Sequence, residues 1–368
     1  MKKMKKILLV LSSAAGAVLM IVVLFLVFWP SFGKSPSERQ QRDYAQRTDA
    51  FYDDVFHTPE DFRLIVEAKE EREKDDVQLK PEGTIPVKKI KELPQADKDD
   101  LMITWFGHST SLLQIQGMTV LIDPVLGEYA SPVGFMGSKR MAEVPMEAEA
   151  LPEIDVLLIS HDHYDHLDDR TIKKIDGKVK TYCVPLGVEN HLIRWGVDPD
   201  KIRVMAWWDE IRIDGLRIAS TPGQHYSGRL PWKRNNTLWC GYVLKNEAHN
   251  VYYTGDTGYG EFFQEIRKRY GSPDLVISED GQYDPKWPDC HMSPQEVVQA
   301  AEDLGTDWVI PVHWAGFALA EHAWNDPAEQ LTMWIEKSQV SAATPKIGET
   351  VNFTEIEHYQ EKWWREVE

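Results

Sequence analysis

The chain opens with an uncharged, almost wholly apolar stretch over residues 7–29, and no later segment matches its length. As a helix rising ~1.5 Å per residue it reaches roughly 35 Å, enough to cross the ~30 Å hydrocarbon interior of a bilayer. Lys2, Lys3, Lys5 and Lys6 precede it, Phe28 and Trp29 suit the far interface, and Pro30 ends it. Basic residues stay on the cytoplasmic side, so the pattern predicts a single-pass cell-membrane anchor with a cytoplasmic N-terminus and the rest of the chain extracytoplasmic. A cleaved signal peptide is the competing reading, with Ala15-Gly16-Ala17 as the cleavage site. A dozen apolar residues still follow that site, whereas the apolar core of a signal peptide is only ~7–15 residues long.

Residues 31–100 are polar, with helical patches expected at 43–56 and 61–74. The run 69–76 reads as a solvated helix face and its end. This segment is expected to be a stalk or an ordered flap between the anchor, 1–30, and a large domain, 101–368. From Leu101 the pattern changes to short apolar strands at 102–106, 111–116, 119–122, 154–160, 180–184, 211–220, 239–244, 251–254, 275–278 and 308–312. Helices are expected at 169–175, 261–270, 293–304 and 327–337. Ser293, Pro294 and Glu296 form a strong helix start, with a cap, a first-turn proline and a capping box. The nearly all-apolar run 154–160 predicts a strand buried on both faces. Strands and helices in this order predict an α/β sandwich with sheets inside and helices outside.

The 368 residues are 42% hydrophobic and 27% charged, an ordinary globular composition. A net charge of −18 repels phosphate backbones, which argues against nucleic acid as a routine partner. Cys183, Cys240 and Cys290 lack CxxC spacing, so neither a disulfide framework nor a cysteine zinc site is indicated, though a single bridge stays open.

The candidate chemistry begins where the buried strand delivers His161-Asp162-His163-Tyr164-Asp165-His166. In extended chain, residues two apart point the same way, so His161 and His163 can hold one metal as a pair of imidazoles. Asp165 and His166 become neighbours at the following turn, able to face a second metal. Imidazole nitrogen and carboxylate oxygen are ligands that Zn²⁺ accepts in hydrolytic sites with a position open for water. Three later residues of ligand type also follow strands: His225, Asp256 and His313. Two divalent cations ~3.5–4 Å apart activate water for attack on phosphorus or a carbonyl carbon.

The order HxHxDH, then His, Asp and His, resembles the metallo-β-lactamase superfamily. Longer stretches resemble its N-acyl-phosphatidylethanolamine-hydrolysing phospholipase D branch: Trp105–Thr110, Asp123-Pro124, Ser131-Pro132, Gly137–Arg140 and Leu151–Asp155. The likeness continues through His163–Asp168, Val184–Gly187, Trp207-Trp208, Gly255–Tyr259, Tyr283–Pro285, His291 with Pro294–Glu296, and His313-Trp314. It implies an αβ/βα four-layer sandwich and two Zn²⁺, although other divalent metals would suit the same ligands. It places His161, His163 and His225 on one ion, Asp165, His166 and His313 on the other, and Asp256 between them. Asp123 would orient a ligand imidazole through its other N–H; without the family context it reads equally as a strand-end turn with Pro124. His291 is a candidate for steering a phosphate or protonating the leaving group, against a solvent-facing place ahead of the helix cap. Arg229 is a weak candidate for pairing with a phosphate oxygen, against an ordinary surface arginine. Trp207 and Trp208 are expected to pack rather than to bind lipid.

The chain departs from the eukaryotic branch at Ala315-Gly316, where Gly-Thr is usual, and at the acidic pair Glu279-Asp280. Both departures are expected near the pocket, which leaves acyl and headgroup preference open. The expected function is a membrane-anchored phosphodiesterase of phospholipase D type, with a phospholipid or a small phosphodiester or ester as substrate. A lactonase or other ester or amide hydrolase of the same fold is the alternative; a non-catalytic metal-binding membrane protein is another. An iron redox enzyme is disfavoured because oxygen-reducing relatives carry Glu where His163 stands. Relatives also hint at a homodimer.

Overall fold

The computed structural model describes residues 2–64 and 77–367. Helix α1, Lys2–Phe28, contains an 18-residue window, Leu11–Phe28, with a mean hydropathy of 2.6. Among the described residues it is the one helix long and apolar enough to cross a membrane.

Two seven-stranded sheets form the centre of the molecule. The first runs, edge to edge, Ile202–Met205, Val179–Pro185, Ile154–Leu158, Met118–Ile122, Ser111–Ile115, Leu101–Trp105 and Thr350–Asn352. The second runs Glu210–Ile213, Leu216–Thr221, Gly241–Lys245, Asn250–Tyr253, Leu275–Glu279, Trp308–Val312 and Ser341–Ala342. Each combines an antiparallel meander with parallel strands. The run expected to be buried on both faces explains the layering. Val156 and Leu158 point into the core between the sheets, while Leu157 and Ile159 point into the outer core, because successive side chains alternate across a strand. That outer core includes α3, Asp169–Ile175, and α4, Glu189–Trp195. The second sheet is covered by α5, Phe262–Tyr270, α6, Pro294–Leu304, and α7, Asp326–Ile335. The expected four-layer sandwich is the observed fold.

Local expectations needed correction. The patch at 43–56 is not one helix. Helix α2 covers Glu38–Arg47, capped by Ser37 and Gln40, and a hairpin pairs Phe51–Tyr52 with Val55–Phe56. Asp53 and Asp54 turn that hairpin at φ 50° and 62°, the two positive angles a tight right-twisting hairpin needs. Burial drives the choice: Phe51 and Phe56 pack around Tyr44. Residues 61–64 are not helical, and the rest of the 61–74 patch lies outside the described residues. The single strand expected at 211–220 is a hairpin around Asp214-Gly215, both at positive φ. Its Asp-Gly dipeptide was the missed signal, masked by alternation continuing on both sides. Helix α4 and the strands Ile202–Met205, Ser341–Ala342 and Thr350–Asn352 were also not anticipated.

The described part of 31–100 packs against the sandwich. Tyr44 donates to Glu189 at 2.7 Å, Ile85 enters the core between the sheets, and Val87 bridges to Ile347. The three cysteines are free and buried. Trp207 donates to the Trp239 carbonyl at 2.6 Å, and Trp208 stacks on Tyr270, so both pack as expected.

The cap of α6 is built as the sequence predicts. Ser293 Oγ accepts from Glu296 N, and the Glu296 carboxylate accepts from Ser293 N at 2.8 Å. Replacing Ser293 with Ala leaves an orphan helix donor and should lower unfolding free energy by about 1 kcal/mol, read as a reduced urea midpoint at unchanged slope.

Candidate metal centre

The candidate ligands meet along one rim of the sandwich because each follows a strand that ends there. His161, His163, Asp165 and His166 follow Ile154–Leu158; His225 follows Leu216–Thr221; Asp256 follows Asn250–Tyr253; His313 follows Trp308–Val312. His161 Nε2 lies 2.9 Å from His163 Nδ1, and His225 Nε2 lies 3.3 Å from the same nitrogen. Asp256 Oδ2 lies 3.0 Å from His166 Nε2, 3.3 Å from His313 Nε2, and 3.8 Å from both His161 Nε2 and His225 Nε2. Asp165 Oδ2 is 3.5 Å from His166 Nε2. All seven sequence-predicted ligands are therefore brought together.

The imidazoles are turned inward by bonds on their far nitrogens. His166 Nδ1 donates to Asp123 at 2.7 Å, and His225 Nδ1 donates to the Cys290 carbonyl at 3.0 Å. Ser160 Oγ donates to Asp123 at 2.5 Å and accepts from His161 Nδ1 at 2.9 Å. Ser109 Oγ faces His313 Nδ1 at 2.9 Å. With their N–H groups committed outward, the Nε2 lone pairs point at one another and at Asp256. His166 Nε2 and Asp256 Oδ1 are buried without a hydrogen-bond partner. Buried polar atoms left unpaired are costly, and a divalent cation among these nitrogens and oxygens would satisfy them. The donor set fits a pair of such ions.

Backbone geometry and charge agree with a built site. His108, Asp123 and His313 hold φ of 53°, 40° and 67°, a left-handed conformation that costs non-glycine residues ~1–3 kcal/mol and clusters at functional sites. Burial, together with neighbouring imidazoles, holds His161, His225 and His313 well below the ordinary histidine range, so they are neutral and able to ligate. Burial also pushes His163 and His108 down to about 4. The carboxylates Asp256 and Asp165, with Asp123 bonded to the ring, hold His166 up against its burial. Asp256 itself is raised by burial.

Other residues fall into distinct places. Asp123 is a hub that accepts from His166, Ser160 and the Tyr253 hydroxyl, so the strand-end turn does more than reverse the chain. His291 is half-buried at the pocket wall, sharing a 2.9 Å bond with Glu279 through Nδ1, rather than facing solvent. Arg229 is neither a surface arginine nor a pocket residue. It is buried, donates to the carbonyls of Ser31, Asp162 and Leu167, and lies over the Tyr164 ring, bracing the histidine loop. One participant escaped sequence reasoning: His108 Nε2 bonds Asp165 at 3.0 Å. Glu279, expected near the pocket, accepts from Met292 N while holding His291. The stretch Trp105–Thr110 was the available sign for His108. The departure at Gly316 abuts this residue, since a Cβ there would lie 2.4 Å from His108 Cβ.

A domain model described as "Beta-lactamase superfamily domain" matches residues 118–314, more than half of the chain. The chain belongs to the metallo-β-lactamase superfamily. Within it, an uncharacterized protein of Mycobacterium tuberculosis is 40% identical over 275 residues, 74% of this chain and 73% of the relative. The mitochondrial N-acyl-phosphatidylethanolamine-hydrolyzing phospholipase D of Saccharomyces cerevisiae is 30% identical over 68% of this chain and 55% of its own length. A Caenorhabditis elegans enzyme of that name is 32% identical over 65% of this chain and 70% of its own. The solved isothiocyanate hydrolase from Delia radicum gut bacteria superposes with a TM-score of 0.54 at 22% identity, covering 68% of this chain and 98% of its own, a likeness of fold.

Two outcomes follow. Asp123→Asn should weaken divalent-metal affinity by ~10–100-fold, measured by competition with a chromophoric chelator, because the His166 ring loses its orienting acceptor. Chelator-treated protein should lose stability as pH falls from ~6.5 toward 4, because the unfolded chain binds protons that buried His108 and His163 refuse. Urea midpoints across that window check it; a flat profile would contradict the burial argument.

Proposed function

We propose that the chain is a membrane-anchored dinuclear zinc hydrolase of phospholipase D type, cleaving a phosphodiester in N-acyl or related phospholipids. The observation that carries the reading is the convergence of seven side chains of metal-ligand type beside a cavity with apolar walls, four of them lining it. The cavity measures about 370 Å³; His163, Asp165, Asp256 and His313 lie at its base, and Leu64, Tyr226, Trp287 and Leu319 are among its walls. The named phospholipase relatives support a lipid-like substrate, and α1 supports placement at a membrane.

In this reading His161, His163 and His225 hold one ion, Asp165, His166 and His313 the other, and Asp256 lies between them. When bound, such a pair lowers the pKa of water toward neutrality and draws charge from the oxygen that becomes anionic. The chain's own residues set the rest. Asp123, Ser109, Ser160 and the Cys290 carbonyl keep the rings aimed inward. Glu279, kept protonated by burial beside Asp256, donates to His291 Nδ1, which leaves the imidazole proton on Nε2 to serve the pocket. His291 is thereby positioned to donate to a phosphate oxygen or to hand a proton to the leaving oxygen. Arg229 keeps the histidine loop in register rather than touching substrate.

The test is turnover by the full-length protein of a panel of N-acyl phospholipids, simple phosphodiesters and lactones, alongside metal analysis. About two zinc ions per chain with phospholipid cleavage supports the proposal; faster lactone opening would favour the ester-hydrolase reading, and no metal would favour a binding protein. His291→Ala should lower kcat by ~10²–10⁴-fold on a substrate with a poor leaving group, and by less on a nitrophenolate ester that needs no proton.

A further inference from the structure

The rim of the cavity carries an apolar collar on the side where α1 ends. Phe135 and Met136 are 74% and 64% exposed on the loop joining Tyr129–Ala130 to Ser138–Lys139, and Trp232 is 63% exposed on the loop before Arg234. Ala130 and Arg234 line the cavity, so both loops border its mouth. Large apolar side chains this exposed, grouped around one opening, mark an interaction surface.

Three observations identify the occupant. First, the collar is continuous with α1: Trp29 Nε1 donates to the Pro132 carbonyl at 2.6 Å, and Arg194 donates to the Val27 carbonyl at 3.0 Å. The last turn of an apolar helix is thus pinned beside the loop that exposes Phe135. Second, the two loops repeat one arrangement, an exposed aromatic followed closely by a Lys-Arg pair, in Phe135–Arg140 and Trp232–Arg234. Third, in a chain with 59 acidic residues, 226–236 contains none, and the loop around Phe135 meets one only at its base, where Glu128 pairs with Lys139. Lys139 is thus paired and Arg140 is spent on the Val125 and Gly127 carbonyls, so the exposed Lys233 and Arg234 supply the cations at phosphate level. With apolar tips entering the acyl boundary they match a phospholipid surface.

We infer that this collar sits in the headgroup layer of the same bilayer that α1 crosses, so that the cavity opens onto lipid rather than onto water. The inference rests on the anchoring part of the proposed function, and it adds a fixed orientation: the domain is held mouth-down against the membrane instead of swinging from a tether.

The test uses the full-length chain in phosphatidylcholine vesicles, with Phe135→Cys carrying an environment-sensitive fluorophore. The native cysteines are buried, which directs the label to position 135. Trp232→Cys provides a second site, and Glu302→Cys, exposed toward the end of α6 away from the metal centre, provides the control. Labels at 135 and 232 should shift to the blue and be quenched several-fold more strongly than the label at 302 by lipids bearing an acyl-chain nitroxide. Equal, weak quenching at all three would overturn the inference. So would efficient disulfide crosslinking of unlabelled Phe135→Cys chains to one another without lipid quenching, which would assign the face to a homodimer. Carbonate extraction of the same vesicles reads the anchor separately: a chain that resists extraction with unquenched labels keeps the anchor and loses the collar. An extractable chain with quenched labels keeps the collar and loses the spanning helix.

Discussion

The structure depends on a cluster of lone pairs aimed at one another in a buried rim. Four imidazoles commit their outward nitrogens to Asp123, Ser109, Ser160 and the Cys290 carbonyl, which forces Nε2 of each toward Asp256. Such an arrangement is unfavourable without positive charge at its centre, because the neutral rings of His161, His225 and His313 bring no inward protons to share. The surrounding fold reads as the scaffold that holds this unfavourable arrangement in place. Left-handed backbone at Asp123 and His313, and the buried arginine under the histidine loop, are parts of that restraint.

Asp123 links the two halves of the sandwich. It follows a strand of the first sheet and accepts from Ser160 and His166 there, while the Tyr253 hydroxyl reaches it from the second sheet at 2.6 Å. A shift of one sheet against the other therefore registers directly at the ring of His166. Arg229 makes a similar link farther out, tying the segment after α1 to the histidine loop through the Ser31 and Asp162 carbonyls. Apolar helix, histidine loop and ligand cradle are thus mechanically continuous.

Much of this was legible beforehand. The run ending at Ser160 is short and nearly all apolar, which favours a doubly covered strand, and its histidine loop was accordingly expected at a strand end. The capping box at Ser293 and Glu296 was equally local, and equally reliable. The failures share a cause. The helical patch expected at 43–56 was displaced by a hairpin because burying Phe51 and Phe56 against Tyr44 outweighs a weak helical pattern. Arg229 looked like a surface residue because nothing in its neighbourhood along the chain reveals that a loop 62 residues away offers two carbonyls.

What the sequence determined by itself was whatever depends on period and local chemistry: the apolar helix, the alternation of doubly buried strands, the helix caps, and the identity and order of seven ligand-type side chains. What only the tertiary structure decided was which nitrogen of each ring faces inward, the part taken by His108 and Glu279, and the grouping of Phe135 and Trp232 beside the end of α1. The reason is physical: a ring's tautomer and a patch's continuity are set by contacts between residues far apart in the chain, and such contacts leave no period to read.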